Sequence, residues 1–295
     1  MKTVLQANRR HRVAVAFYAM VVPMACLFFM FHTLPFLEGV FYSFTNWQGY
    51  GVWHFTGFKN YMHVFTNPTI RSAYLFTFKF AIFATVLTNG LGLLLALGLN
   101  GKIKFKTFLR ATYFLPWVLS ALVVSFIFKF IFSNVLPQIG AKLSISFLAT
   151  NILGTYHAWI GVLIVTVWQS LAFTSLIYIS GLQTVGAEVD EAALVDGATG
   201  WRKFWSITFP LILPFVTINL VLSFKNFMGV FDQIMGMTAG GPGSSSTSVT
   251  VQIYSALNGG AFPLMQANSV VLFVIVAVVT LVQLRILQRR EDELS

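Results

Sequence analysis

The chain has 295 residues, 57% of them hydrophobic and only 9% charged, where soluble domains carry roughly a quarter charged residues. Its 31 phenylalanines are too many for one soluble core but are readily solvated by lipid, so an ordinary water-soluble domain is excluded. The net charge of +10 falls in segments between apolar runs, which makes it a topology signal and sets nucleic-acid binding aside.

A helix of about twenty apolar residues crosses roughly 30 Å of hydrocarbon with its backbone groups bonded internally. Stretches of that kind predict an all-α polytopic membrane protein, a single transmembrane domain over 1–295. About six helices are expected, at approximately 13–37, 74–98, 110–132, 155–180, 210–232 and 267–287. Pro23 and Pro35 predict a kink or a frayed end in the first, and Cys26 within it has no disulfide partner in the chain. Basic residues precede this helix as they would in a secretory signal. The run is too long, however, and lacks a small-residue cleavage site, so it reads as retained. An outer segment follows, 38–73, rich in Trp47, Tyr50, Trp53 and Tyr61; it reads either as an interfacial aromatic belt or as part of a docking surface. Lys79 and Lys129 lie near outer helix ends, where they can snorkel to lipid headgroups. The remaining outer segments are 133–154 and a turn-rich stretch holding Gly240-Gly241-Pro242-Gly243-Ser244.

Orientation follows from the cations. One side holds Lys2, Arg9, Arg10 and Arg12, then Lys102, Lys104, Lys106 and Arg110, then Arg202 and Lys203, then Arg285, Arg289 and Arg290. The other holds only Lys59, Arg71 and Lys142, so both termini and the polar segment 188–210 are expected in the cytoplasm. That segment interrupts two apolar runs. Its alanine-rich start favours a short helix, Asp196-Gly197 stops it, and residues 201–204 can begin a second helix before Pro210.

Catalytic signatures are missing from the sequence. The nearest approach to a nucleotide loop, Gly101-Lys102-Ile103, lacks the hydroxyl residue, the five histidines have no ligand spacing, and there is no nucleophile elbow. No catalytic residue, metal or cofactor is therefore expected in this chain.

Glu191-Ala192-Ala193, three residues, Gly197, nine residues, Ile207 and then Pro210 resembles the EAA loop of binding-protein-dependent ABC importer permeases, with Phe209 where leucine is usual. Gly57-Phe58-Lys59-Asn60-Tyr61, the run from Arg110-Ala111 to Leu115-Pro116, and Phe231-Asp232 leading into Thr238-Ala239-Gly240-Gly241-Pro242 look like its carbohydrate-uptake branch, the maltose and multiple-sugar type. The resemblance implies a type I importer permease fold in a bacterial cytoplasmic membrane. Its implied partners are a second homologous permease, a dimer of cytoplasmic ATPase subunits that bind ATP and Mg, an outer solute-binding protein, a carbohydrate substrate and membrane lipid. Glu191, Ala192, Ala193, Asp196, Gly197, Ile207 and Pro210 would then couple to the ATPase, with Glu191 as an ionic partner for a basic side chain. Read without the family, Glu191 could simply complement a helix dipole.

Inside the spans, Lys225-Asn226 falls midway along the fifth helix, and Gln169 lies at mid-depth on the fourth with Phe173 one turn onward. The resemblance places sugar contacts on the helices flanking the EAA loop, so Gln169, Phe173, Lys225 and Asn226 are the candidate pathway residues. Amides suit hydroxyl pairs and aromatic faces suit pyranose C–H groups, while ordinary helix–helix bonding is the competing reading. Lys225 reads as a pathway residue or as a structural pair with Asp232. The alternatives for the whole chain are an importer of a non-sugar cargo such as glycerol phosphate, or an ion-coupled secondary carrier, although the internal repeats expected of a carrier are not visible.

Overall fold

The computed structural model describes residues 17–101 and 104–294. Lys2, Arg9, Arg10, Arg12 and Lys102, on which the expected orientation partly rests, lie outside the described residues, as do the side chains of Lys106 and Arg290. Among the described residues the fold is α-helical, with one isolated bridge between Thr45 and Phe55.

Four helices are long and apolar enough to cross a membrane along their length: α1 (Phe17–Tyr42), α3 (Pro68–Asn100), α5 (Ala121–Lys142) and α6 (Ala158–Thr184). A fifth such stretch, Phe262–Arg289, lies within α12 (Phe262–Leu294), and a sixth crossing exists if α8 (Gly200–Leu211) and α9 (Leu213–Met228), bent by 72°, are one span. The chain is a multi-pass membrane protein. Shorter helices include α2 (Lys59–Thr66), α4 (Lys106–Val118), α7 (Ala187–Val195), α10 (Asp232–Met237) and α11 (Val249–Asn258).

The expected helix at 110–132 is drawn differently. Leu119 and Ser120 are extended, so α4 ends at Val118 and a separate α5 runs on to Lys142. Three other prolines are absorbed without a break at the ring itself. The chain holds π turns at Phe29–Thr33, Ile131–Val135 and Phe204–Thr208, each ending two residues before a proline: Pro35, Pro137 and Pro210. In each, the residue before the proline donates its N–H five residues back, from Leu34 to Phe29, Leu136 to Ile131 and Phe209 to Phe204. The wider turn makes room for the proline ring, which would otherwise clash with the carbonyl four residues earlier.

The chain divides into two compact units: residues 1–64 with Ala256–Val271, and Phe65–Ser255 with residues 272–295. In the first, the aromatic outer segment is folded into a small knob. Tyr42 stacks on Trp47 with centroids 4.1 Å apart, and the Asn60 amide donates to the carbonyls of Ser43 and Thr45, both at 2.8 Å. The Ser43 and Tyr61 hydroxyls share a 2.6 Å bond, so Asn60 and Tyr61 of the Gly57–Tyr61 motif hold the segment shut.

In the second unit α3, α6 and α9 form the frame. A Cβ on Gly92 would meet Thr174 Cγ2 at 2.8 Å, which is how closely α3 approaches α6. Where they meet, the buried Tyr178 hydroxyl donates to Asn89 Oδ1 at 2.8 Å, with the Asn219 side chain also within reach of that hydroxyl. Asn219 Nδ2 in turn donates to the Thr174 carbonyl at 3.1 Å. Asn89, Tyr178 and Asn219 thus tie three helices at one buried node. Lys79 finds a partner inside the chain rather than only lipid: its Nζ lies 4.0 Å from the Trp159 ring centroid, a cation–π contact between α3 and the start of α6.

A double-mutant cycle of Tyr178→Phe and Asn89→Leu, read by reversible unfolding in mixed micelles, should give a coupling of about 0.6–1.7 kcal/mol, the range for hydrogen bonds between membrane helices. Additive losses would show that the node does not hold α3 to α6.

Candidate functional site

Two features of the second unit hold the sequence-predicted site residues: a cavity among broken helices, and the segment carrying Glu191. The cavity, of about 430 Å³, is walled by Trp117 of α4, Gln169 and Phe173 of α6, Asn226 of α9, and Asp232 and Gln233 of α10. It exists because its walls are interrupted. Where α4 ends, the Pro116 and Leu119 carbonyls accept hydrogen bonds from Gln169 Nε2 at 3.3 and 3.0 Å. Gln169 Oε1 accepts from Gln233 Nε2 at 3.2 Å, so this buried amide is committed to the protein. Phe173 stacks on Trp117, with centroids 4.8 Å apart and planes inclined by 17°.

The opposite wall turns where α9 ends. There the Val230 carbonyl accepts from both Ser248 Oγ, at 2.8 Å, and Thr250 Oγ1, at 2.6 Å. The loop that brings these hydroxyls in is itself clasped by Thr238 to Ser246 at 2.8 Å and Thr247 to the Gly240 carbonyl at 2.9 Å. The Thr238–Pro242 motif is thus the bracket for the turn that presents Asn226, Asp232 and Gln233.

Three of the four sequence-predicted pathway residues, Gln169, Phe173 and Asn226, meet at this cavity. Lys225 does not: it is exposed on α9 and absent from the lining. Sequence reading missed Trp117, Asp232 and Gln233 as walls. Trp117 was signalled only by its place after Pro116, and Gln233 by nothing beyond its neighbour Asp232. The wall therefore offers amide and hydroxyl groups, one carboxylate and four aromatic residues, with no Lys or Arg among the described residues that line it. Such a set can exchange hydrogen bonds with hydroxyls and pack C–H faces; it has no group for neutralising an anion.

The Glu191 segment is tied directly to the same helices. Only Val185 and Gly186 separate α6 from α7, and only Ile212, fully buried, separates α8 from α9. Helix α7 closes in a Schellman motif: the Ala198 N–H reaches the Ala193 carbonyl at 2.8 Å across Gly197, whose φ is +73°. A Cβ at Gly197 would meet nothing within 4 Å, so glycine is needed there for its backbone conformation and not for space. Ala193 is buried, while Glu191, Ala192 and Asp196 are exposed, and Val195 is 88% exposed. Ile207 and Pro210 are half-buried in and just after the π turn. Beside them Trp201, Phe204, Trp205 and Phe209 form an aromatic cluster, with Trp205 and Phe209 centroids 4.9 Å apart. Trp201, Phe204 and Trp205 share a groove with Leu87, Leu91 and Leu94 of α3.

Residues 88–292 match the family model described as the binding-protein-dependent transport system inner membrane component. The chain is 38% identical over 275 residues to the multiple sugar-binding transport system permease protein MsmF of Streptococcus mutans, covering 92% of this chain and 94% of that one. It is 34% identical over 262 residues to the probable starch degradation products transport system permease protein AmyD of Thermoanaerobacterium thermosulfurigenes, covering 88% and 90%. A solved bacterial ABC transporter involved in importing the acidic polysaccharide alginate contains a chain of the same fold. It superposes with a TM-score of 0.80 over 96% of this chain and 99% of that one, at 20% identity. With its broken membrane helices and its glycine-stopped Glu191 segment, the chain belongs to the family of binding-protein-dependent transport system inner membrane components.

Proposed function

We propose that the chain is one of two pathway-forming permease subunits of an ATP-driven ABC importer for a sugar or oligosaccharide. It spans a bacterial cytoplasmic membrane with both termini and the Glu191 segment inside. The cavity's amide, carboxylate and aromatic walls carry this reading, because they suit polyhydroxylated cargo. Relatives named for multiple-sugar and starch-product transport support it. A phosphate-bearing cargo would call for several cations, and among the described residues no Lys or Arg lines the cavity. ATP and Mg would be bound by separate ATPase subunits, with cargo delivered by a solute-binding protein; the alginate transporter solved with its oligosaccharide-bound periplasmic protein is a fold-level parallel.

In this account α7 is the handle. Glu191, Ala192 and Asp196 face outward for an ATPase surface, and Glu191 pairs with a basic side chain there. Gly197 ends the helix so that α7 moves as a rigid piece, and Ile207 and Pro210 carry the displacement into α9. The linkers of two residues and one residue leave little slack. ATPase closure would tilt α6 and α9 together and change which side of the membrane the cavity faces.

Glu191→Ala should weaken ATPase-subunit binding at least tenfold and lower uptake, with membrane insertion unchanged, as expected for losing one partner of an interfacial charge pair worth about 2 kcal/mol or more. Gly197→Val should act in the same direction and Gly197→Asn less, because asparagine tolerates positive φ. Wild-type uptake in Glu191→Ala and Gly197→Val would contradict the handle. For the cavity, Asn226→Leu should raise the half-saturating cargo concentration while leaving ATPase-subunit binding intact, whereas Gln169→Leu should lower the unfolding temperature by freeing the Pro116 and Leu119 carbonyls. Unaltered transport in Asn226→Leu would remove that residue from the pathway.

A further inference from the structure

Among the described residues that line the cavity of α4, α6, α9 and α10, Asp232 alone carries a charge. It opens α10 with its side chain exposed, and its carboxylate makes no hydrogen bond or ion pair with the described residues. Lys225, the partner its spacing suggests, is off that wall. Other amides of the lining are already committed: Gln169 lies between the Pro116 and Leu119 carbonyls and Gln233, and Asn219 donates to the Thr174 carbonyl. Asn226 and Asp232 are the exposed polar side chains that remain on the wall.

An ionised carboxylate only accepts hydrogen bonds, so Asp232 calls for donors such as a pair of sugar hydroxyls. It also gives the cavity a sign. A neutral hexose and its uronic acid differ only at C6, hydroxymethyl against carboxylate, and the aromatic walls have little with which to tell their ring faces apart. Charge does tell them apart: in a partly enclosed cleft of one sign, a second carboxylate is repelled more strongly than in water, and no Lys or Arg of the described lining answers it. Selection of this kind works by rejecting the wrong cargo as much as by holding the right one. We propose that Asp232 is a specificity-determining residue that takes hydroxyls of neutral sugars and turns away uronates and other anionic sugars. The proposal rests on the reading of this cavity as the sugar pathway.

The test is saturation-transfer NMR on the full chain with its co-purifying subunits, in nanodiscs of uncharged lipid and with the solute-binding protein left out. The probes are methyl hexosides of gluco, galacto and manno configuration in three forms that differ only at C6: hydroxymethyl, carboxylate and aminomethyl. The neutral form should bind about tenfold more tightly than the carboxylate, and the amino form at least as tightly as the neutral one. Asp232→Asn keeps the size and an accepting oxygen but removes the charge, and should bring the carboxylate to within about threefold of the neutral form. Three results would overturn the role of Asp232 while leaving the sugar reading in place: carboxylate binding as tight as neutral in the wild type, rejection of the amino form together with the carboxylate, or a gap that persists in Asp232→Asn. The first two need no variant to fold. Failure of every form to bind would instead overturn the sugar reading of the cavity, and the proposal with it.

Discussion

Hydrocarbon offers a peptide group nothing to bond with, so every interruption of a membrane helix must be satisfied from within the protein. That constraint organises this structure. The carbonyls released where α4 stops are taken by Gln169, and the carbonyl at the end of α9 is taken by two hydroxyls eighteen and twenty residues on, just before and within the start of α11. At Pro35, Pro137 and Pro210 the helix widens into a π turn and keeps its bonding without a break. Each local device lets the chain bend or part at depth while leaving few bare polar groups.

The same devices create the functional geometry. A continuous helix in place of α4 and α5 would close the cavity, and an uninterrupted run from α9 to α10 would turn Asp232 and Gln233 away from it. Gln169 has its amide occupied by the break, which makes it a positioning residue for the wall and leaves Asn226 and Asp232 as exposed polar groups lining the cavity. In the proposed importer, cargo would therefore read a surface whose shape is held by groups behind it. The Asn89, Tyr178 and Asn219 node secures the frame on which that surface and the Glu191 segment both depend.

Much of the fold was legible because its signals are local: charge-free stretches of membrane length, and an alanine-rich helix ended by Asp196-Gly197. The break after α4 was not, since residues 110–132 are apolar on both sides of it and Pro116 is tolerated inside the helix. What ends the helix is extended backbone at Leu119 and Ser120, held by an amide fifty residues away, and no spacing rule reports such a bond. For the same reason Gln169 was legible as a cavity residue but not as a splint. Lys225 looked like a pathway cation because its depth is readable from sequence, whereas the direction it faces on α9 depends on how α9 packs. Lys79 illustrates the limit of a depth argument alone: snorkelling was expected from its position, and the Trp159 ring comes from another helix.

In the proposed importer α7 moves as one body with α6, from which only Val185 and Gly186 separate it. Double electron–electron resonance between labels at Val195 and Ile164, both exposed, can test it in the assembled importer with and without nucleotide. If the two helices move together, this distance within the chain stays the same in both states while the distance from Val195 to its counterpart in the second permease changes. A nucleotide-dependent shift between Val195 and Ile164 would show instead that α7 swings independently of α6 and does not drive it.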